Sequence, residues 1–418
     1  MSRFRIRSII LSVCIGLVMQ TMSACEPKAK VIPEIQAIRL QSDVSRTNSA
    51  ILMTADNDSD EGVPNYTLEQ VIIEAGVDDF QGIILVSEQD RIVYQSYSGR
   101  ADVESNLLLD AETNFEVGRI SWQVTSACIR LLVDQGLITL DDTLSLYMPE
   151  YAFSDRVTIR QMLDMSSGIP DYLDNTLADP SYRDEVFANA LFSDKGLAAI
   201  YEFENLSLDM DLLIEKLNAE GLLFTPGSEY LFSHTNNVLL AEVVERISGI
   251  PYVHFAQKNV LTPLGLEAAA FEQSSKTATP YVARNQIQTI IGPTNLSTEA
   301  GLRMNASDLL IWTFVMRDLL KDWQRRELPV AGEDGIIPPD PAANDYRLFG
   351  VEWIDESFLG IESEIGGFDC IQVFDPQRDI VILILSNRNS IEPYCENILE
   401  ALLDHYSVDT EENLPLEE

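Results

Sequence analysis

Three short stretches carry side chains able to do chemistry. Residues 115–127, FEVGRISWQVTSA, offer Arg119, Ser121 and Trp122; residues 231–237, LFSHTNN, offer Phe232, Ser233 and His234; residues 361–364, IESE, offer Glu362, Ser363 and Glu364. A serine hydroxyl beside a histidine, with an acid orienting the ring, is a nucleophile–base arrangement for acyl transfer. Ser121 with His234, or Ser233 with His234, has the right residue types. Against the second stands adjacency, since neighbouring side chains seldom face one another; against the first, Ser121 has no evident base of its own. A structural histidine satisfied by its neighbours is the plainer reading of His234. The other histidines, His254 and His405, lie far off in sequence. One histidine and scattered acids make no metal ligand set, so neither metal nor cofactor is expected.

Arg119 opens a helical stretch, where the macrodipole disfavours a cation. It needs a partner or a purpose. The partner reading has Glu362 or Glu364 reaching Arg119 and plugging the site; the purpose reading is an anion site, with guanidinium and helix-start amides gripping a carboxylate or phosphate. Trp122 is expected as a buried aromatic with its indole N–H on a carbonyl, or else as a platform for a ligand ring. Ser121 is expected as the helix N-cap.

The positioning elements follow from periodicity. A helix is predicted over 68–75, then strands over 82–87 and 91–96 around Glu88-Gln89-Asp90. A second hairpin, 368–374 and 380–386, turns at Asp375-Pro376-Gln377 and is followed by a helix over 397–406. Between these ends the chain reads as helical. Ser121 to Gln135 carries Val124, Cys128, Leu131 and Leu132 on one face and stops at Gly136; Asn237 to Ser248 carries Leu240, Val243, Val244 and Ile247 and stops at Gly249. Strands at both ends with helices between them predict one antiparallel sheet built from both chain ends and flanked by helices, an α/β (α+β) fold with an inserted, mainly helical lobe.

The chain has 418 residues, 67 acids and 28 bases. That balance argues against nucleic acid, whose phosphates require Lys and Arg. Arg3, Arg5 and Arg7 precede an apolar run, Ile9 to Met22, too short to span a bilayer, which reads as a secretory signal over residues 1–24. Met22-Ser23-Ala24-Cys25 resembles the lipobox of bacterial lipoproteins, which implies lipidation at Cys25 and a membrane-anchored protein of the cell envelope. A polar tether is expected over 25–64, a folded domain over 65–408 and an acidic tail over 409–418. Of the remaining cysteines, Cys128 reads as a buried small hydrophobe, while a Cys370–Cys395 disulfide stays open.

Longer segments carry a resemblance. GIILVSEQDRIVYQSYSGRAD, GLITLDDTLSLYMPEY, VTIRQMLDMSSGIPDY, PGSEYLFSHTNNVLLAEVVERISGIPY and GFDCIQVFDPQRDIVILILSN, in that order, resemble the serine β-lactamase and penicillin-binding protein superfamily, in its class C-like and esterase-like branch. The resemblance implies a β-lactamase/transpeptidase-like fold and three clusters: S-x-x-K at a helix start, Tyr-x-Asn on a loop, and a Lys- or His-led triplet ending in Gly on a strand. Phe115 and Gly118 lie on the family's F-x-x-G, which puts Arg119 at the serine and Trp122 at the lysine. Phe232-Ser233-His234 stands at Tyr-x-Asn, and Phe232 lacks the phenol that could move a proton. Counting back from Gly367-Phe368 puts Ile361-Glu362-Ser363 on the triplet. None of the seven lysines (28, 30, 195, 216, 258, 276, 321) has a serine three residues before it. Lys276-Thr277-Ala278 echoes the triplet in the wrong part of the chain.

The expectation is a lipoprotein of this fold that has lost acyl transfer and binds a peptide or peptidoglycan-like ligand, or an envelope protein. Its candidate ligand contacts are Arg119, Ser121, Trp122, Phe232, His234, Glu362 and Glu364. The alternative is a working serine hydrolase with non-standard residues.

Overall fold

The computed structural model describes residues 66–75, 79–172, 210–271, 274–284, 287–290, 301–327, 350–355, 357–365, 367–390 and 393–412. The expected signal, the lipidation site Cys25, the tether and the last six residues lie outside these. From the N-terminal side come helix α1 (Tyr66–Glu74), strands β1 (Gly82–Glu88) and β2 (Arg91–Ser98), the short β3 (Arg100–Asp102), β4 (Leu107–Leu108) and β5 (Phe115–Glu116), and helix α2 (Ser121–Asp134). Helices α3 (Ile159–Leu163), α4 (Met210–Glu220), α5 (His234–Ser248) and α6 (Tyr252–Ala256) form the middle, followed by strands β6 (Tyr281–Arg284), β7 (Ile287–Ile290) and β8 (Arg303–Met304). Helix α7 (Ala306–Glu327), strands β9 (Glu352–Trp353), β10 (Leu359–Ile365), β11 (Phe368–Asp375), β12 (Ile380–Ser386) and β13 (Arg388–Ser390), and helix α8 (Tyr394–Glu412) complete the order. No described helix is long and apolar enough to cross a membrane.

Six strands form the main sheet in the order β2-β1-β12-β11-β10-β9, with every neighbouring pair antiparallel. Both chain ends contribute, as the hydrophobic pattern predicts. Gln89 and Asp90 both take positive φ, which closes the first hairpin with a twist-matched two-residue turn. All seven residues of β12 are buried, because both faces of the sheet are covered. On the outer face Ile84, Ile371, Val373, Ile382 and Ile384 pack with Leu68 and Ile72 of α1 and with Ile398, Leu399 and Leu402 of α8. Each such aliphatic side chain contributes about 1.5–3 kcal/mol on burial. The last helix runs to Glu412.

The inner face is closed partly by a buried polar chain. Trp312 donates its indole N–H to Gln123 (2.8 Å), Gln123 donates to Gln372 (2.6 Å), and Gln372 donates to the Thr313 hydroxyl (2.9 Å). It ties α2 and α7 to β11, and every member has a partner, as burial demands. Cys128, Cys370 and Cys395 are buried free thiols, so Cys370 and Cys395 form no disulfide.

Candidate functional site

The first motif sits on a turn that the fold fixes from behind. Phe115 and Glu116 pair with Met304 and Arg303, and Arg303 forms a buried ion pair with Glu116 at 3.0 Å, the two side chains 4% and 1% exposed. Arg303 also donates to the carbonyls of Phe271 (3.1 Å) and Gly301 (3.0 Å). Gly118 then takes φ +53°, where a side chain would be strained, and a 3-10 turn over Gly118–Ile120 leads into α2. This corrects the expectation for Ser121. The N-cap is Ile120 in a helical conformation, and Ser121 is a fully buried first residue of the helix.

Arg119 meets strand β10 through its backbone and its side chain. Its amide donates to the Ser363 hydroxyl (2.8 Å), and its guanidinium donates to the Glu362 carbonyl oxygen. The expected ion pair with Glu362 or Glu364 is absent among the described residues, and the pleat gives the reason. Side chains alternate along a strand, and Glu362 and Glu364 stand opposite Ile371 and Asp369, on the face that packs against α8. Ser363 stands opposite Cys370, whose thiol points at the Glu116 carbonyl on the inner face. The triplet therefore does meet the helix start, through Ser363 and a backbone oxygen. On the far face the Glu362 carboxyl is pushed up, first by burial and then by the Glu396 charge, with Arg119 acting in the opposite direction. Beside it Asp369 is pushed up to about 7, by burial first and then by Glu396, Glu364 and Glu362.

Trp122 and Phe232, which the resemblance sets on the lysine and the tyrosine, stack with ring centroids 4.7 Å apart and planes at 17°. The Arg119 guanidinium lies 5.7 Å from the Trp122 centroid and 5.6 Å from that of Phe232, which sets it beside both rings. His234 meets Trp122 and Phe232 edge-on, at 5.5 and 4.7 Å. Trp122 is buried as expected, but its indole N–H finds no carbonyl; it has no hydrogen-bond partner among the described residues. Ile361 is buried on β10. Lys276, the discounted echo of the triplet, is an exposed residue paired with Glu112 at 2.6 Å.

The acid that orients His234 is one the sequence did not single out. Asp171 accepts from the His234 ring Nδ1 (2.7 Å) and from the His234 backbone N–H (3.1 Å). A carboxylate only accepts, so Nδ1 carries the proton. Asp171 also places a negative charge at the N-terminus of α5, a role Ser233 leaves open by making no side-chain cap. The loop bearing it is laced to α5: Thr235 donates to the Pro170 carbonyl (2.7 Å), Tyr172 N–H donates to Thr235 Oγ1 (2.9 Å), and Ser167 donates to Asn236 (2.7 Å). Asp171 lies 63 positions from His234, and its only signal was membership of the SGIPDY stretch. The Ser233 hydroxyl is buried with no hydrogen-bond partner among the described residues, so the Ser233–His234 pair does not form. An open cleft of ≈ 600 Å³ lies along Phe153, Arg156, Leu222 and Phe224, and none of the motif positions lines it.

Comparison with known proteins agrees with this architecture. Penicillin-binding protein 4* of Bacillus subtilis is 28% identical over 189 residues, which are 45% of this chain and 37% of that protein. A putative D-alanyl-D-alanine carboxypeptidase of Escherichia coli is 25% identical over 361 residues, covering 73% of this chain and 77% of that one. The chain thus spans little more than a third of the first relative and about three quarters of the second. Among solved structures, the octameric penicillin-binding protein homologue from Pyrococcus abyssi superposes with a TM-score of 0.62 at 20% identity, over 82% of this chain and 78% of that one, a likeness of fold. The Beta-lactamase family model matches residues 71–405.

Proposed function

We propose that this chain, which belongs to the Beta-lactamase family, is a binding protein of the cell envelope that has given up acyl transfer. One observation carries the reading. Arg119, Trp122, Phe232 and His234, which the resemblance sets on the family's first two motifs, come together as a guanidinium and a ring cluster, where the family's chemistry calls for a hydroxyl beside an amine. The printed names of the relatives, penicillin-binding proteins and D-alanyl-D-alanine carboxypeptidases, favour a cell-wall peptide or a peptidoglycan-like fragment as ligand. The lipobox-like stretch at Cys25 supports anchoring in a membrane, and Cys25→Ser would release the protein to the soluble fraction.

Intact mass after incubation with a reactive β-lactam, and separately with a fluorophosphonate, tests the loss of acyl transfer. No adduct is expected on the unaltered protein, and an adduct there would overturn the reading. The double change Arg119→Ser with Trp122→Lys, run alongside, asks whether the scaffold still accepts acylation.

A second reading draws on the Asp171–His234 pair. A carboxylate holding Nδ1 is the arrangement that orients a general base, and a hydrolase with non-standard residues would use it. Ester or amide turnover abolished by His234→Ala would establish that activity.

A further inference from the structure

The cleft of ≈ 600 Å³ in the helical lobe is apolar but for one cation and one hydroxyl. Phe153, Leu222, Phe224 and Pro226 make its walls, and Arg156 and Thr225 are the polar side chains along it. A space of that size accommodates a whole small ligand. Both walls are tied in place. On one side the Ala152 N–H donates to the Asn218 side chain (2.7 Å), which itself donates to the Glu150 carbonyl (3.1 Å), so the loop before Phe153 is fastened to α4. On the other side α4 ends before Gly221 (φ +82°), where a Cβ would meet the Phe153 ring at 3.4 Å. The chain beyond is pinned by Leu223 N–H on the Gly168 carbonyl and Gly227 N–H on the Ser166 carbonyl, each 2.8 Å. The walls are thus set before a ligand arrives, which spares the cost of ordering them.

Arg156 stands over the Phe153 ring, its guanidinium 5.5 Å from the centroid, in a turn closed by its own N–H on the Phe153 carbonyl (3.0 Å). It is exposed and has no ion pair among the described residues, in a chain with 67 acids to 28 bases. We infer that this cleft binds a single-chain amphiphile with a carboxylate head, the chain along Leu222, Phe224 and Pro226 and the head at Arg156. A guanidinium pairs with a carboxylate through two parallel N–H groups. One side of Phe153 is taken by that guanidinium, so the walls left over suit a flexible chain better than a stacked ring. A cationic head would meet Arg156 with no lining acid to receive it, and a dianion such as phosphate asks for a second cation that the lining lacks. The cleft shares no lining residue with the Arg119–Trp122–Phe232–His234 cluster, so the inference holds or fails independently of acyl transfer.

Titration calorimetry on the full chain with octanoate, decanoate and octylammonium tests the site. Octanoate is expected to bind saturably with a Kd on the order of 1 mM. Decanoate should bind about 3- to 10-fold more tightly, since each methylene taken from water is worth up to about 4-fold. Octylammonium should bind at least about 10-fold more weakly than octanoate, whereas mere adsorption to an acidic protein reverses that order. Arg156→Gln should weaken octanoate about 3- to 10-fold, a charge-assisted bond screened by solvent. Arg130→Gln, the same change of charge on α2, should leave it unaltered, and Leu222→Asp, which puts an acid on the wall, should abolish it. Octylammonium binding as tightly as octanoate, no gain from two further methylenes, or octanoate binding that survives Leu222→Asp would each overturn the inference. So would octanoate binding unchanged by Arg156→Gln, an equal loss with Arg130→Gln, or no saturable binding of decanoate up to about 10 mM. Should Leu222→Asp fail to fold, the three-ligand comparison on the unaltered protein and the exposed Arg156→Gln change still decide it.

Discussion

Replacing Arg303 by Met removes the cation from the buried pair that fixes the turn before Arg119. Glu116 then keeps a carboxyl group in a place 1% exposed, with the neighbouring backbone already committed to β-pairing. Breaking a buried pair from one side costs about 3–5 kcal/mol, because the remaining charge is left uncompensated. Glutamate has an escape that arginine lacks: it can take up a proton. Neutralising an ordinary glutamate costs about 3.7 kcal/mol at pH 7 but only about 1 kcal/mol at pH 5. The destabilisation by Arg303→Met should therefore be about 3–5 kcal/mol at pH 7 and shrink by roughly 2–3 kcal/mol at pH 5. Glu116→Gln strands a guanidinium that stays charged at both pH values, so its cost should be large and nearly constant. The double change Glu116→Leu with Arg303→Met should cost clearly less than the two single changes together. Urea denaturation of all four proteins at pH 5 and pH 7 measures these differences. An Arg303→Met cost below about 1 kcal/mol at pH 7, or one equal at the two pH values, would show that the pair does not carry the turn.

Two further outcomes follow from buried groups. Asp369, pushed up to about 7 by burial and by the neighbouring Glu396, Glu364 and Glu362, is protonated in the fold where the unfolded chain would be ionised. Its contribution to stability is complete below about pH 4 and is lost as pH rises towards 7, by up to about 4 kcal/mol. Asp369→Asn should flatten that part of the stability–pH curve and stabilise the protein at pH 8; unchanged curvature would refute it. Trp122→Ala should cost about 3–5 kcal/mol in the same denaturation assay. Trp122→Phe should stay within about 1–2 kcal/mol of the parent, because relief of the unpaired indole N–H offsets part of the lost burial. A Phe variant as unstable as the Ala variant would mean that the N–H has a partner.

The architecture was legible because it rests on period and order. The two hairpins are apolar, β-branched runs around polar turns, and the helices of the lobe stop at Gly136 and Gly249, both at positive φ. The two stretches singled out do come together, since Arg119, Trp122, Phe232 and His234 meet. What failed depended on direction. Composition made an acid near Arg119 seem available, but a strand has two faces, and a shift of one residue decides which one a carboxylate occupies. Ser121 looked like a cap because hydroxyls favour that place; the 3-10 turn moved the helix start by one residue and buried it. Asp171 was hidden because nothing in the sequence marks a contact between a loop acid and a helix start 63 residues later.

The central strand pair has a consequence for how this protein comes into being. The first strand finds its inner neighbour only after a long stretch of further chain has been made: Ser386 donates to the carbonyl of Gln81, 305 positions earlier. Loop closure of that span precedes any reward from the contacts it allows, which makes for slow folding. Until then β12, apolar from Ile380 to Leu385, or its empty place beside β1, is a sticky surface awaiting its counterpart. A nascent chain cut short before Ile380 would lack the middle of its own sheet, so quality control would meet it as an aggregation hazard, not as a smaller folded protein.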